Sequence, residues 1–195
     1  MQLYLYENAI IDNINKLFTN SNVTAVIADS LDEGLRRIAA KNNDKVSLPF
    51  VMLTGGDWNI KETNFYNLMH GTKVRNKENS QTEISNIPIQ PEYTMYIAAQ
   101  SSKECDMLTR EIIFYYFQNP TLTVNIPYGI NTIHTFNVIF NPNVRKTTRA
   151  SGLVYRTLSF YLDGAYLWHN NTFNLVKEID VNKVETKLEE DKKNV

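Results

Sequence analysis

Apolar residues along the chain switch between helical spacing and strict alternation. Leu3, Ile10, Ile11, Ile14, Leu17 and Phe18 fall near a repeat of about 3.6 residues, which predicts a helix over Met1–Phe18. Asn20-Ser21-Asn22 ends it, and Val23–Ala28 has the length and apolarity of a short strand. Ser30 and Glu33 have capping-box spacing, so a second helix is expected to about Ala40, with Leu31, Leu35 and Ile38 on one side. After a polar turn comes SLPFVMLTGGDWNI, residues 47–60. Here Leu48, Phe50 and Met52 alternate with Val51 and Leu53, and both faces are apolar, as in a core strand. Gly55-Gly56 is expected to bend or bulge that strand at a sheet edge, with Trp58 anchoring the chain beyond the bend.

Between 61 and 91 the pattern fails. Lys73, Arg75, Lys77, Glu78 and Glu83 crowd a segment with few apolar residues, which reads as a long exposed loop of the kind that binds something. Period two returns at Glu92, where Tyr93, Met95, Ile97 and Ala99 alternate with Thr94, Tyr96 and Ala98. Ser101 and Glu104 form a second capping box. It opens a helix over Lys103–Gln118 with Cys105, Leu108, Ile112 and Tyr115 along one stripe, stopped by Asn119-Pro120. Leu122, Val124 and Ile126 alternate as a short strand. Ile133–Phe140 and Leu153–Leu162 are further strands around a basic loop, 141–149. Asp163-Gly164 reads as a turn, and 166–168 and 173–176 as a hairpin across Asn170-Asn171.

The order of elements predicts an α+β protein: a mostly antiparallel β-sheet with helices packed on one face and a long inserted loop. One domain is expected over 1–179, with the loop exposed at about 61–91 and a charged C-terminal extension at 180–195.

Composition narrows the function classes. The chain has 195 residues, 43% of them hydrophobic and 11% aromatic, which suits a globular domain. A formal net charge of −1 argues against a dedicated nucleic-acid binder. The single cysteine, Cys105, rules out an internal disulfide and reads as a small core hydrophobe. Neither a leader pattern nor a membrane-spanning run is visible, so a soluble protein of a reducing cytoplasm is expected.

Catalytic chemistry finds little purchase. His70, His134 and His169 share no zinc-site spacing and read as surface residues. No Gly-x-Ser-x-Gly elbow is present. Gly55-Gly56 opens neither a dinucleotide fingerprint nor a phosphate loop with its lysine. Asp57, Glu62 and Glu92 are scattered acids, better read as a solvated face than as metal ligands. No enzyme activity, metal or cofactor is expected.

The sequence offers more for assembly. Arg145, Lys146 and Arg149 in the basic loop suit contact with a neighbouring subunit or solvent better than with a phosphate backbone. Lys73, Arg75 and Lys77 in the long polar segment are further candidate contacts. Phe114, Tyr115, Tyr116 and Phe117 are consecutive on a helix, so all four cannot face one core. Tyr116 is the one expected to turn away, toward solvent or a partner.

The stretches LPFVMLTGGDWNI and EYTMYIAAQSSKECDMLTREIIFYYFQNPTLTVNIP, with HTFNVIFNPNV and GLVYRTLSFYLDGAYLW, resemble the tail terminator, or tail-completion, proteins of long-tailed bacteriophages. The resemblance lies in the order of elements over about Met1–Trp168. It includes a Pro-led strand and an alternating strand feeding a capped helix that is acidic near its start, here Ser102, Glu104 and Asp106. It implies a non-catalytic virion protein of the tail–neck region, assembled in the host cytoplasm. Such proteins close into a ring, commonly of six subunits. The ring caps the tail tube, ends its polymerisation, and docks neck or head-completion proteins and, in contractile tails, the sheath. Genomic DNA would pass through its bore without specific binding. A ring needs two unlike patches on each subunit. The nearest alternative is another neck, head–tail joining or baseplate component.

Overall fold

A computed structural model describes residues 3–41, 43, 45–60, 72–75, 81–126, 132–141, 148–150 and 153–173. In chain order the elements are α1 (Leu3–Leu17), β1 (Thr24–Ile27), α2 (Leu31–Lys41), β2 (Phe50–Ile60), β3 (Thr72–Arg75) and β4 (Gln81–Ala99). They continue with α3 (Ser102–Gln118), β5 (Thr121–Ile126), β6 (Thr132–Phe140), β7 (Thr148–Ala150), β8 (Leu153–Asp163) and β9 (Ala165–Phe173). The sheet runs β1-β2-β4-β8-β6-β5, with β3 and β9 beside β4 and β7 beside β8. Every pairing is antiparallel except β1 with β2, which are joined through α2 as a parallel crossover requires. The protein is therefore α+β, as its pattern predicts.

Strand alternation sends residues to two cores. Val51, Leu53, Tyr93, Met95, Ile97 and Ala99 face a large cluster with Tyr6, Ile10 and Ile14 of α1 and Cys105, Leu108, Ile112 and Tyr116 of α3. The intervening Phe50, Met52 and Ala98 face Ile38, Leu31 and Leu35 of α2. Helices on one face thus describes α1 and α3, while α2 covers the opposite face at the β1 end.

Both capping boxes form, each with its return bond shifted by one residue. Ser30 Oγ and Ser101 Oγ accept from the N–H of Glu33 and Glu104, at 3.3 and 3.2 Å. The two glutamates reach back to the N–H groups of Asp29 and Gln100, at 3.0 and 3.1 Å. Each box satisfies donors that the first turn leaves open. Along α3, burial of Leu108, Ile112 and Tyr116 contributes roughly 1.5–3 kcal/mol for each large side chain. Packing therefore outweighs the mediocre helix propensity of the aromatic run.

The expected long loop is corrected in its second half. Residues 81–91 are strand: β4 is 19 residues long, and its first half pairs with β3, β9 and the end of β2. Pro88 and Pro91 and a polar composition hide this half from any periodicity count. Residues 61–71 and 76–80 of the inserted segment lie outside the described residues, as does the extension from 180.

Asp163-Gly164 does not reverse the chain. β8 and β9 follow one another along the same side of β4, with Tyr161 opposite Glu92 and Ala165 opposite Ile89. Four steps on one strand meet three on the other, which is a bulge, and Gly164 takes the φ of +79° that favours glycine. Nor do Asn170-Asn171 turn: they continue β9, opposite Ile84 and Glu83. β2 has the matching irregularity. Gly55 pairs Tyr93 and Trp58 pairs Pro91, so three steps meet two. The expected bulge is present, and β1 pairs only Phe50–Leu53, so β2 is edge-like from Thr54 on. The strands on the two sides of β4 bend at one level, which curls the sheet.

Candidate functional site

Two surfaces stand out, one apolar and one acidic. The first is the outward side of α3. The buried stripe is Cys105, Leu108, Thr109, Ile112 and Tyr116. Tyr116 is 1% exposed, inside the chain's own core, so the expectation that it turns outward is corrected. Helical spacing allows either Tyr115 or Tyr116 to follow Ile112. Packing against Phe140 selects Tyr116, with ring centroids 5.7 Å apart, and burial pushes its phenol pKa well up. Tyr115 is half-buried and accepts a hydrogen bond from Asn13 Nδ2 at 3.0 Å. The outward aromatics are Phe114 and Phe117, 59% and 84% exposed, in line with Met107. Met107, Arg110, Phe114 and Phe117 follow i, i+3, i+7, i+10 spacing, the signal that could have located this face in the sequence. Beside it runs an apolar groove of about 330 Å³ lined by Ile113, Phe117, Pro120, Ile139 and Phe140.

The second surface is a cleft of about 640 Å³ over the bulge in β2. The parallel β1, the α2 turn and the start of α1 meet here, which brings Glu7 and Asp29 to the same opening as Asp57 and Glu92. Gly56 leaves room for the backbone: a Cβ there would sit 3.0 Å from the Glu92 carbonyl oxygen. Glu7 Oε1 lies 3.5 Å from the corresponding position on Gly55. Burial, and then the Asp29 charge, hold the Glu7 pKa above the usual carboxylate range. Tyr93 borders the cleft from the core side with its hydroxyl closed to solvent, and its phenol pKa is pushed far up by burial and by the nearby Glu7 charge. A phosphate would meet only negative charge here, so the glycines serve the bend.

Of the scattered acids weighed in the sequence, Asp57 and Glu92 share this cleft, and Glu62 lies outside the described residues. Glu7 and Asp29 were not legible as their neighbours, because chain folding alone joins them. Among the described residues no three His, Cys, Asp or Glu side chains converge as metal ligands.

The basic candidates are not gathered into a described site. Lys73 and Arg75 sit in β3, at register positions opposite Glu83 and Gln81. Arg149 lies in β7 opposite Val154. Lys77, Arg145 and Lys146 lie outside the described residues. Of the histidines, His134 is half-buried with one ring nitrogen 2.7 Å from the Gly164 carbonyl oxygen, a packed role instead of the expected surface one. Cys105 is fully buried, and its thiol donates to the Ile97 carbonyl at 3.1 Å, as a core residue would. No helix among the described residues is long and apolar enough to cross a membrane. Compared with protein-family models and with curated proteins, the chain matches none.

Proposed function

We propose that this chain is a structural subunit of a ring that caps the tail tube of a long-tailed bacteriophage, ends tube polymerisation and docks the neck or head-completion proteins. The observation that carries the reading is the α3 surface. Met107, Phe114 and Phe117 stand in water next to an apolar groove. Isolated apolar residues are ordinary on a surface, but an aligned stripe with an adjoining groove marks a protein contact. Large aromatics are the side chains that contribute most at such contacts. The element order that resembles the tail terminators supplies the identity of the assembly. Closure into a ring requires a second, unlike patch. The basic stretch Arg145, Lys146 and Arg149 is proposed for it.

Mass photometry and electron microscopy of the purified chain, alone and with tail tubes, test this. A discrete closed ring seated on tube ends is the expected result. A strict monomer that never joins tubes overturns it. A ring found in the neck away from the tube, or in the baseplate, selects the alternative reading as another virion component. Charge reversal at Arg145, Lys146 and Arg149 should weaken assembly while the monomer stays folded.

A further inference from the structure

The sheet ends at β5, and the pairing of that strand fixes which of its backbone groups face outward. The Val138 N–H donates to the Pro120 carbonyl at 2.9 Å, in register with the β5–β6 ladder that follows. In an antiparallel strand both backbone groups of one residue point the same way, and the direction alternates along the chain. Leu122, Val124 and Ile126 therefore bond toward β6. The N–H and C=O groups of Thr121, Thr123 and Asn125 point away from the sheet, and among the described residues no strand or side chain bonds them. All three side chains are exposed.

Natural proteins rarely leave such an edge bare. Other strand edges in this sheet are guarded. Arg37 Nη1 donates to the Ile27 carbonyl of β1 at 2.7 Å. The Tyr6 hydroxyl takes both backbone groups of Tyr166 in β9. β2 beyond Thr54 carries its bulge and Asp57. β3 and β7 are only four and three residues long, with Lys73, Arg75 and Arg149 among them. β5 has six residues, Thr-Leu-Thr-Val-Asn-Ile, with no charge, no proline and no register shift. The two most exposed large apolar side chains among the described residues lie at its ends. Phe117, 84% exposed, lines a groove with Pro120, and Ile133, 66% exposed, stands opposite Asn125.

The edge selects its partner. Outward backbone groups at every second residue call for an extended chain. A two-fold axis at Thr123 would set Thr123 against itself and Thr121 against Asn125, so any charge on the edge would oppose its own copy. This edge has none, and Thr–Thr pairs across strands are favourable. We propose that β5 pairs antiparallel with β5 of a second copy of this chain about that axis, so that one sheet continues into the next. The pairing does not rest on the ring reading, since a two-fold contact forms pairs with or without tail tubes.

The test combines sedimentation velocity with residue-resolved amide exchange of the full chain over a range of concentrations. Pairs are expected as concentration rises, with the amides of Thr121, Thr123 and Asn125 slowing by about tenfold or more and those of Leu122 and Val124 protected throughout. Thr123→Cys should link two copies through a disulfide on oxidation, because it meets itself at a Cα spacing of about 5.5 Å. Asn125→Cys should not, because it meets Thr121. Thr123→Pro removes an outward N–H without touching the β6 ladder and should abolish pairing in a chain that still melts cooperatively. Should that variant fail to fold, Thr123→Lys, which sets like charges opposite each other, carries the same expectation. A strict monomer at every concentration overturns the pairing, as does linking of Asn125→Cys as readily as Thr123→Cys, or wild-type pairing by folded Thr123→Lys. Rings or pairs in which Thr123 and Asn125 exchange as freely as in the monomer overturn it too, while rings of that kind leave the ring reading intact.

Discussion

The Tyr6 hydroxyl holds both backbone groups of Tyr166: it donates to the carbonyl at 3.0 Å and accepts from the N–H at 2.9 Å. In an antiparallel strand both groups of one residue point the same way. β6 pairs β8 only as far as Asp163, so among the described residues no paired strand reaches Tyr166 on that side. A helix side chain thus takes the place of a neighbouring strand and ties α1 to the bend between β8 and β9. Phe136 and His134 pack on the same ring edge to face, at 4.9 and 6.3 Å.

Removing that hydroxyl tests the tie. Tyr6→Phe keeps the ring packing but removes the hydroxyl that bonds both the N–H and the carbonyl of Tyr166 in a partly buried place. A loss of about 1–3 kcal/mol is expected, the usual cost of unsatisfied buried polar groups. Urea unfolding followed by circular dichroism reads it, and a midpoint equal to wild type would show that the tie contributes nothing to stability.

His134 gives the same region a pH dependence. Burial lowers its pKa below the ordinary 6.5, against the hydrogen bond to the Gly164 carbonyl, which raises it. The unfolded chain therefore binds the proton more readily than the fold. This contribution to stability is present above about pH 6.5 and is lost as pH falls through the lower folded value. Melting temperatures across pH 8 to 5 should fall on the acid side, and His134→Gln should flatten that limb.

Glu7 works in the opposite sense. Its folded pKa is raised above the ordinary 4.5, so ionising it in the cleft opposes folding at neutral pH. The fold is relatively favoured at low pH and loses that advantage as pH rises through the folded value. Glu7→Gln should raise the melting temperature at pH 7, with the gain vanishing below about pH 4.5. An unchanged or lower melting temperature at pH 7 would contradict the burial of this carboxylate.

Neighbouring aromatics on α3 should behave differently. Tyr116→Ala empties a core position and is expected to cost about 3–5 kcal/mol. Phe117→Ala should change monomer stability by no more than about 0.5 kcal/mol. Phe114→Glu with Phe117→Glu should leave the monomer folded and abolish ring formation by mass photometry. Rings that persist would move the interface elsewhere.

Sequence pattern alone determined the elements whose signals are local. The two capped helices, the alternation of β5 and of Tyr93–Ala99, the bulge at Gly55-Gly56 and the buried Cys105 all follow from spacing and side-chain chemistry over a few residues. Tertiary structure decided whatever depended on distant partners. Residues 81–89 and Asn170-Asn171 are strand because each pairs with the other's segment, and no local period reports that. Tyr116 faces inward because Phe140 is there to receive it, whereas 3.6-residue geometry permits Tyr115 equally. The acidic cleft exists because α1 and the β1–α2 turn converge on a bend in β2. That convergence joins Glu7, Asp29, Asp57 and Glu92 across stretches of chain that no motif spans.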